Sequence, residues 1–236
     1  MLFRSSTLTV NEVNNLTAIG QNVATNNGDI AINLVSGSLG GNGSILAGNG
    51  NVSIGAANGN ITLNAVPSQV VANVLSTTSK GDTLLNTRAT SLNSLVTSSG
   101  NLTVVEADNL NINSAQTTNG AVTITTNNAS TLNVFSINAA VGSSGNVTLA
   151  AGTVNVYSPG IRATGTLNIS GVGNMNAVGG GITVGNVINQ SNGNGVNWQV
   201  TNGNSAGDGS LNSAITSANK YIGRSQISIA NSTTVN

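Results

Sequence analysis

The feature that most constrains this chain is a five-residue phrase, Gly-Asn-apolar-Thr/Ser-apolar, which recurs along it. Each copy joins a turn former to a short run in which apolar and polar side chains alternate, as in a strand that buries one face. Such a short strand is unstable alone, so many copies must stack to cover their apolar faces. The phrase therefore predicts a stacked, repetitive all-β rod. Its copies are Gly50–Ile54, Gly59–Leu63, Gly100–Val104 and Gly145–Leu149.

The spacing between equivalent strand positions indicates how the copies stack. Leu102 and Val122 are 20 positions apart, and Leu132 and Val154 are 22 apart. A coil of that length holds two or three strands, which favours a parallel β-helix over a propeller blade of about 40 residues. About ten coils stacked at about 4.8 Å would give a rod on the order of 50 Å long. A β-sandwich is the alternative for short strands at this spacing.

The composition favours the narrow core of a solenoid. Only 2% of the residues are aromatic and 5% are charged. A sandwich would call for larger core aromatics and charged turns, whereas one slice of Val, Ile, Leu and Ala per coil fills a solenoid. The six basic residues form no run, and the net charge is zero. We therefore expect neither nucleic-acid binding nor a polybasic membrane contact, and no run is long enough for membrane insertion.

The many Asn residues before and after the strands fit the corners of such coils. Asn tolerates left-handed backbone conformations and bonds neighbouring backbone groups. Where corners stack, an Asn amide can also bond the equivalent Asn in the next coil. We therefore expect Asn ladders along the rod.

Two segments depart from the strand phrase. Residues 67–99 carry no regular Gly punctuation, and we expect an irregular excursion there within a solenoid domain spanning residues 1–202. Residues 203–236 form a second unit, with Leu211, Ile215, Ala218 and Ile222 on one helical face. Ser210 or Asp208 would cap the start of this helix and Gly223 its end, followed by a strand over 226–229.

The strand phrases, as in GNVSIGAANGNITLNA and SSGNLTVVEADNLNINSAQTTNGAVTITT, resemble filamentous-haemagglutinin-type repeats of secreted bacterial exoproteins. This resemblance implies a right-handed parallel β-helix on the cell surface, acting as an adhesin or a structural stalk. The C-terminal pattern Ser-Leu-x-x-Ala-Ile-x-x-Ala-Asn is similar to the cap helix that opens bacterial β-helix surface domains. We expect this chain to be a section of a longer modular protein, and residues 203–236 to cap this rod or to begin a further module.

Glu106 and Asp108 are the only close carboxylate pair, and an i, i+2 spacing on a strand would place both on one outer face. Enzymes that cleave acidic polysaccharides on β-helices use outward carboxylates of this kind. The competing interpretation is a pair of solvated charges that discourage lateral association of the sheet. The chain contains no Cys and no His, so the usual thiolate and imidazole chemistry is excluded.

These observations predict a non-enzymatic, extracellular or cell-surface structural and adhesive solenoid segment, with one short α-helix near its C-terminus. No cofactor and no metal is expected. The expected partners are further copies of the chain, stacked end to end into a filament, and a host-surface or glycan receptor. The alternative function is a carbohydrate-active β-helix enzyme, a polysaccharide lyase or hydrolase, with Glu106 and Asp108 as its site residues.

Overall fold

A computed structural model describes residues 7–16, 22–65, 69–139, 145–170, 174–179, 181–191 and 195–230. Over these residues the chain forms one sheet of 22 strands paired in parallel, wound into a β-solenoid of about 8 turns. One short helix, α1 (Leu211–Ala218), lies near the C-terminus. The predicted all-β parallel solenoid with a short C-terminal helix is confirmed, with about eight coils instead of about ten. Its right-handed sense stays a prediction.

The strands are short and follow one another closely along the described residues. They are β1 (Thr7–Glu12), β2 (Val23–Ala24), β3 (Asp29–Leu34), β4 (Leu39–Gly40), β5 (Ile45–Leu46), β6 (Val52–Ala56), β7 (Ile61–Leu63), β8 (Val70–Ser79), β9 (Thr83–Val96), β10 (Leu102–Glu106), β11 (Leu110–Thr117), β12 (Val122–Thr125), β13 (Thr131–Ala139), β14 (Val147–Ala150), β15 (Thr153–Ala163), β16 (Leu167–Ser170), β17 (Asn174–Val178), β18 (Ile182–Val184), β19 (Ile188–Ser191), β20 (Val196–Val200), β21 (Tyr221–Ile222) and β22 (Ser225–Ile229).

Most strands stack into two long faces joined by corners, while β2, β5, the start of β8 and the middle of β9 form a shorter third column. Face A consists of β4, β7, the start of β9, β10, β12, β14, β16, β19 and β21. Face B consists of β1, β3, β6, the ends of β8 and β9, β11, β13, β15, β17, β20 and β22. A register shift between Ile112 and Ser114 bends face B from β11 onward, so that β15 carries both β17 and β18.

Columns of aliphatic side chains fill the interior. Leu102, Val122, Val147, Leu167 and Ile188 are paired in register from coil to coil on face A, and each is 0% exposed. Burying one such side chain stabilises the fold by about 1.5–3 kcal/mol. Because every coil covers the inner side chains of its neighbours, the core is continuous along the described rod.

The Asn of the repeated phrase links one coil to the next at the corner before face A. Asn60 Oδ1 accepts from Asp82 N (2.9 Å), Asp82 Oδ1 from Asn101 N (2.8 Å), and Asn101 Oδ1 from Ala121 N (2.9 Å). Asn146 Oδ1 repeats the contact with Thr166 N at 2.8 Å. These corner side chains satisfy backbone donors that no strand partner reaches. The expected corner ladder therefore exists, but its partners are backbone N–H groups and not the neighbouring amides.

The Gly of the phrase is required by close approach between coils. A Cβ at Gly100 would lie under 3.0 Å from the backbone of Gly81 and Asp82, which cannot move independently of the coil. A Cβ at Gly81 would instead meet the side-chain amide of Asn60. Stacked corners therefore need glycine most where two backbones touch.

The excursion predicted for 67–99 differs from what the structure shows over residues 69–99. β8 and β9 are among the longest strands and pair in parallel with β6, β7, β10 and β11. Their interior carries hydroxyl pairs: Thr77 Oγ1 donates to Ser94 Oγ (2.7 Å), and Ser79 Oγ lies 2.7 Å from Thr83 Oγ1. Inward Thr and Ser hide the apolar alternation, which explains why the pattern alone indicates an irregular segment. Residues 67 and 68 lie outside the described residues.

Helix α1 takes the place on face B where a strand would stack on β18. Ser217 Oγ donates to Ile182 O (3.2 Å), and Lys220 Nζ donates to Val184 O (2.6 Å). Ser210 caps the helix by accepting from Ser213 N at 3.1 Å, as predicted. The edge of β18 is thus covered by side chains instead of being left open to another strand.

The helix is shorter than its sequence pattern predicts. It ends at the C-cap Asn219 and not at Gly223, and Ile222 lies in β21. Ala214 and Ser217 form its buried side, while Ile215 is 43% exposed. This side packs against β20, while Ser217 also reaches the β18 carbonyl.

The segment after residue 202 continues the same sheet. β21 pairs with β19, and β22, the predicted final strand, pairs with β20. Residues 203–230 therefore add a further partial coil around an inserted helix. Residues 231–236 lie outside the described residues, and the start of a further module stays a prediction.

Candidate functional site

The structure separates the two carboxylates that the sequence places on one outer face. Glu106 is the last residue of β10 and points inward, with its side chain only 2% exposed. The chain turns a corner directly after it, so the two-residue alternation of the strand does not extend to Asp108. Asp108 faces outward and pairs with Arg88, with Nε to Oδ2 at 3.3 Å.

Four donors surround the Glu106 carboxylate. Oε2 accepts from Thr87 Oγ1 (2.8 Å) and Ala89 N (3.0 Å), and Oε1 accepts from Ala107 N (2.8 Å) and Asp108 N (3.3 Å). A buried carboxylate must be hydrogen-bonded in this way to be tolerated. Its visible role is to join the end of β10 to β9 in the coil before it.

Burial raises the pKa of Glu106 to about 6, although the Thr87, Ala89 and Asp108 hydrogen bonds act in the opposite direction. The charge of Asp108 adds a smaller upward contribution. A raised pKa is also found in catalytic acids, yet a catalytic acid must reach its substrate. Here the carboxylate is enclosed by its own corner.

A different surface presents an ordered polar array. On face B, Asn133 Nδ2 donates to Asn111 Oδ1, Asn155 Nδ2 to Asn133 Oδ1, and Asn176 Nδ2 to Asn155 Oδ1, each at 2.9 Å. All four side chains face outward and are half-buried. We call this run the Asn ladder; it is the amide-to-amide ladder expected from the sequence, but it lies within strands instead of at corners.

An aromatic pair flanks the Asn ladder two residues further along the same strands. The rings of Phe135 and Tyr157 stack with centroids 5.0 Å apart and planes at 18°. Phe135 is 37% exposed, which is unusual for a ring on a surface this polar. The pair therefore forms a short apolar strip beside the ladder.

A cavity of about 430 Å³ adjoins the last member of the Asn ladder. Its polar lining residues are four with side-chain amides, one arginine and one serine: Asn174, Asn176, Asn197, Gln226, Arg224 and Ser225. Among the described residues, no acidic group forms an ion pair with Arg224. The cavity therefore presents a cation beside an array of hydrogen-bonding amides.

The charges divide unevenly along the rod. Residues 7–110 contain two basic and five acidic residues, a net charge of −3, whereas residues 111–230 contain three basic and one acidic residue, a net charge of +2. The Asn ladder and the cavity lie in the basic part. An anionic ligand would be attracted to this part of the molecule.

The cavity and the bend of face B are the features that sequence reasoning missed. Asn at the same position of successive coils was visible as a 21- to 22-residue recurrence, and it could have indicated the Asn ladder. Arg224 and Asn176 line one cavity only because β22 pairs with β20 after a helical insertion, and no local pattern signals that.

No helix among the described residues has both the length and the apolar character needed to cross a membrane. The same residues contain no group of three or more Asp and Glu side chains able to hold a metal ion. Comparison of the chain with protein-family models, curated proteins and solved structures finds no match.

Proposed function

We propose that this chain is an extracellular structural and adhesive segment of a larger bacterial surface or fibre-forming protein, of the filamentous-haemagglutinin-like kind. The observation that carries the proposal is the continuous stack of in-register coils, hydrogen-bonded to one another at their corners as well as along their strands. Such a stack resists bending and holds its two ends apart. The fold thus suits a stiff spacer.

The surface supports the adhesive part of the role. Many outward positions carry Asn, Ser or Thr at regular spacing, as in the column Thr103, Thr123 and Thr148 on face A. Regular polar groups on a rigid support can make many weak contacts at once, and together these give useful avidity.

The outermost described strands support end-to-end assembly. The inward-facing Ile227 and Ile229 on β22 are 39% and 53% exposed, and Leu8 on β1 is only half-buried. All strands run in parallel, so β1 of one copy can add to β22 of another and continue both sheet and core. The opposite net charges of the two halves favour this head-to-tail order.

Sedimentation velocity over a concentration series tests the assembly. The wild-type chain should form larger species as its concentration rises, whereas Ile229→Lys should remain monomeric because a charge would enter the joined core. Val105→Lys, at a 43% exposed position in the middle of face A, is the matched control and should assemble like the wild type. A wild-type chain that stays monomeric at high concentration would exclude the filament.

The enzyme alternative has less support, because the Glu106 carboxylate is enclosed and Asp108 is paired. Its test is activity on a panel of acidic polysaccharides, with Glu106→Gln as the variant. Cleavage that depends on Glu106 would replace the structural proposal with the enzymatic one.

A further inference from the structure

We infer that the Asn ladder and the adjoining cavity bind an acidic polysaccharide, which lies along the ladder and places a carboxylate at Arg224. The inference rests on the proposed function, since it names a ligand for the adhesive role. It assigns the binding surface to face B over β11, β13, β15, β17, β20 and β22.

The first step concerns the hydrogen-bonding capacity of the ladder. An Asn amide has two N–H donors and an oxygen that accepts two bonds. Within the ladder, Asn133 and Asn155 each donate one bond and accept one. Each therefore retains one donor and one acceptor position for a ligand. A hydroxyl group both donates and accepts, so a polyhydroxylated chain can satisfy both positions at each rung.

An extended peptide also carries paired donors and acceptors along its length. The spacing of the ladder's amides, its rungs, disfavours a peptide as the ligand. Stacked strands place successive rungs about 4.8 Å apart, whereas groups on one side of an extended peptide recur about every 6.6–6.8 Å. A peptide would lose register with the ladder after one or two rungs. A polysaccharide carries hydroxyl groups along its whole length and on several sides, so it can meet each rung without a fixed period.

The groups beside the ladder suit the other parts of an acidic polysaccharide, namely its ring C–H groups and its carboxylates. The Phe135–Tyr157 strip lies beside the ladder, where the C–H groups of a sugar ring can pack against it. At the end of the ladder, Arg224 lines the 430 Å³ cavity together with Asn197 and Gln226. A guanidinium is well suited to a carboxylate, and amides are suited to the hydroxyls around it. Arg224 is the basic residue at this surface, and its charge favours an anionic chain over a neutral one at the cavity end, away from Asp208, which bonds Ser158 beside the aromatic strip.

Calorimetric titration with an oligogalacturonate, and with a neutral cello-oligosaccharide of equal length, tests the inference. The titrations are run below the concentration at which sedimentation detects larger species, so that end-to-end assembly does not contribute. We expect tighter binding of the oligogalacturonate. Asn155→Leu removes two ladder bonds at nearly constant volume and should weaken both ligands about ten-fold. Arg224→Gln should weaken the oligogalacturonate alone, by about five-fold.

Asn33→Leu is the matched control, because Asn33 Nδ2 also bonds another Asn, Asn11 Oδ1 at 3.2 Å, but in the acidic half of the rod. It should bind both ligands like the parent, and circular dichroism confirms that each variant folds. No binding of either saccharide would overturn the inference, as would an equal loss in Asn33→Leu. Binding of an extended Asn- and Ser-rich peptide in place of the saccharides would also overturn it. None of these results bears on assembly, which sedimentation measures separately.

Discussion

The coils formed by β8 and β9 and the coils formed by β10 to β16 stack in the same parallel way but have different interiors. The later coils have aliphatic columns, and their corners carry the Gly-Asn phrase. The earlier coils carry inward Thr77, Ser79, Thr83 and Ser94 bonded to one another, with little glycine. A solenoid interior therefore accepts either chemistry, provided that every inward hydroxyl has a partner. Regular apolar patterning is sufficient for a coil but is not necessary.

The largest effect should come from the glycine at the boundary between these two regions. Gly100→Ala places a methyl group against the backbone of Gly81 and Asp82, and we expect a loss of about 3 kcal/mol in the free energy of unfolding. Gly81→Ala, whose methyl group meets the rotatable Asn60 side chain, should cost only about 1 kcal/mol. Urea denaturation compares the two. Equal losses would show that backbone contact does not decide the requirement for glycine.

The pH dependence of stability tests the role of Glu106 at the junction between β9 and β10. Its pKa is raised from 4.5 to about 6 in the folded chain, so the folded state binds the proton more tightly than the unfolded state. Its contribution to stability is complete below about pH 4.5 and is lost as the pH rises through about 6, a change on the order of 2 kcal/mol. Glu106→Gln should flatten this part of the curve of melting temperature against pH. If the melting temperature of Glu106→Gln followed pH as that of the wild type does, Glu106 would not be the group responsible for the change in stability.

The hydroxyl interior of β8 and β9 can be converted into the aliphatic kind. Thr77→Val leaves Ser94 Oγ without its donor and should cost about 1–2 kcal/mol. The double change Thr77→Val with Ser94→Ala removes both polar groups and should return to within about 0.5 kcal/mol of the wild type. The unfolding free energies of the wild type, the two single variants and the double variant form a double-mutant cycle. A double variant as unstable as the sum of the singles would mean that the hydroxyl pair is needed for more than mutual satisfaction.

The smallest expected effect is at the corner of the later coils. Asn101→Ala removes the acceptor for Ala121 N and should cost about 1 kcal/mol. Asn113→Ala, at an exposed outward position of β11 with no side-chain hydrogen bond to the described residues, should be close to neutral. Thermal unfolding can rank the pair, and hydrogen exchange at Ala121 N should accelerate in the first variant only.

The repeated phrase and its 20- to 22-residue period were sufficient to predict the parallel solenoid, because glycine contact and Asn capping recur at one position per coil. They could not predict β8 and β9, where paired hydroxyls replace the apolar pattern. Glu106 was placed outward because a carboxylate was assumed to face solvent, although it continues the inward alternation of Leu102 and Val104. The alternation was also carried past the corner to Asp108, where the strand has ended. Of the candidate surface, Asn recurrence was visible, whereas the cavity that Arg224 and Asn176 line together depends on pairing across the helical insertion.

That insertion has a consequence for how such rods acquire new parts. Between Val200 of β20 and Tyr221 of β21 the chain leaves the sheet, forms α1, and returns to pair with β19 in parallel register. The strands on either side are therefore aligned by their neighbours in the stack and not by the length of chain between them. This corner is a natural site for grafting foreign peptides or whole modules, which the rod would display sideways along its length.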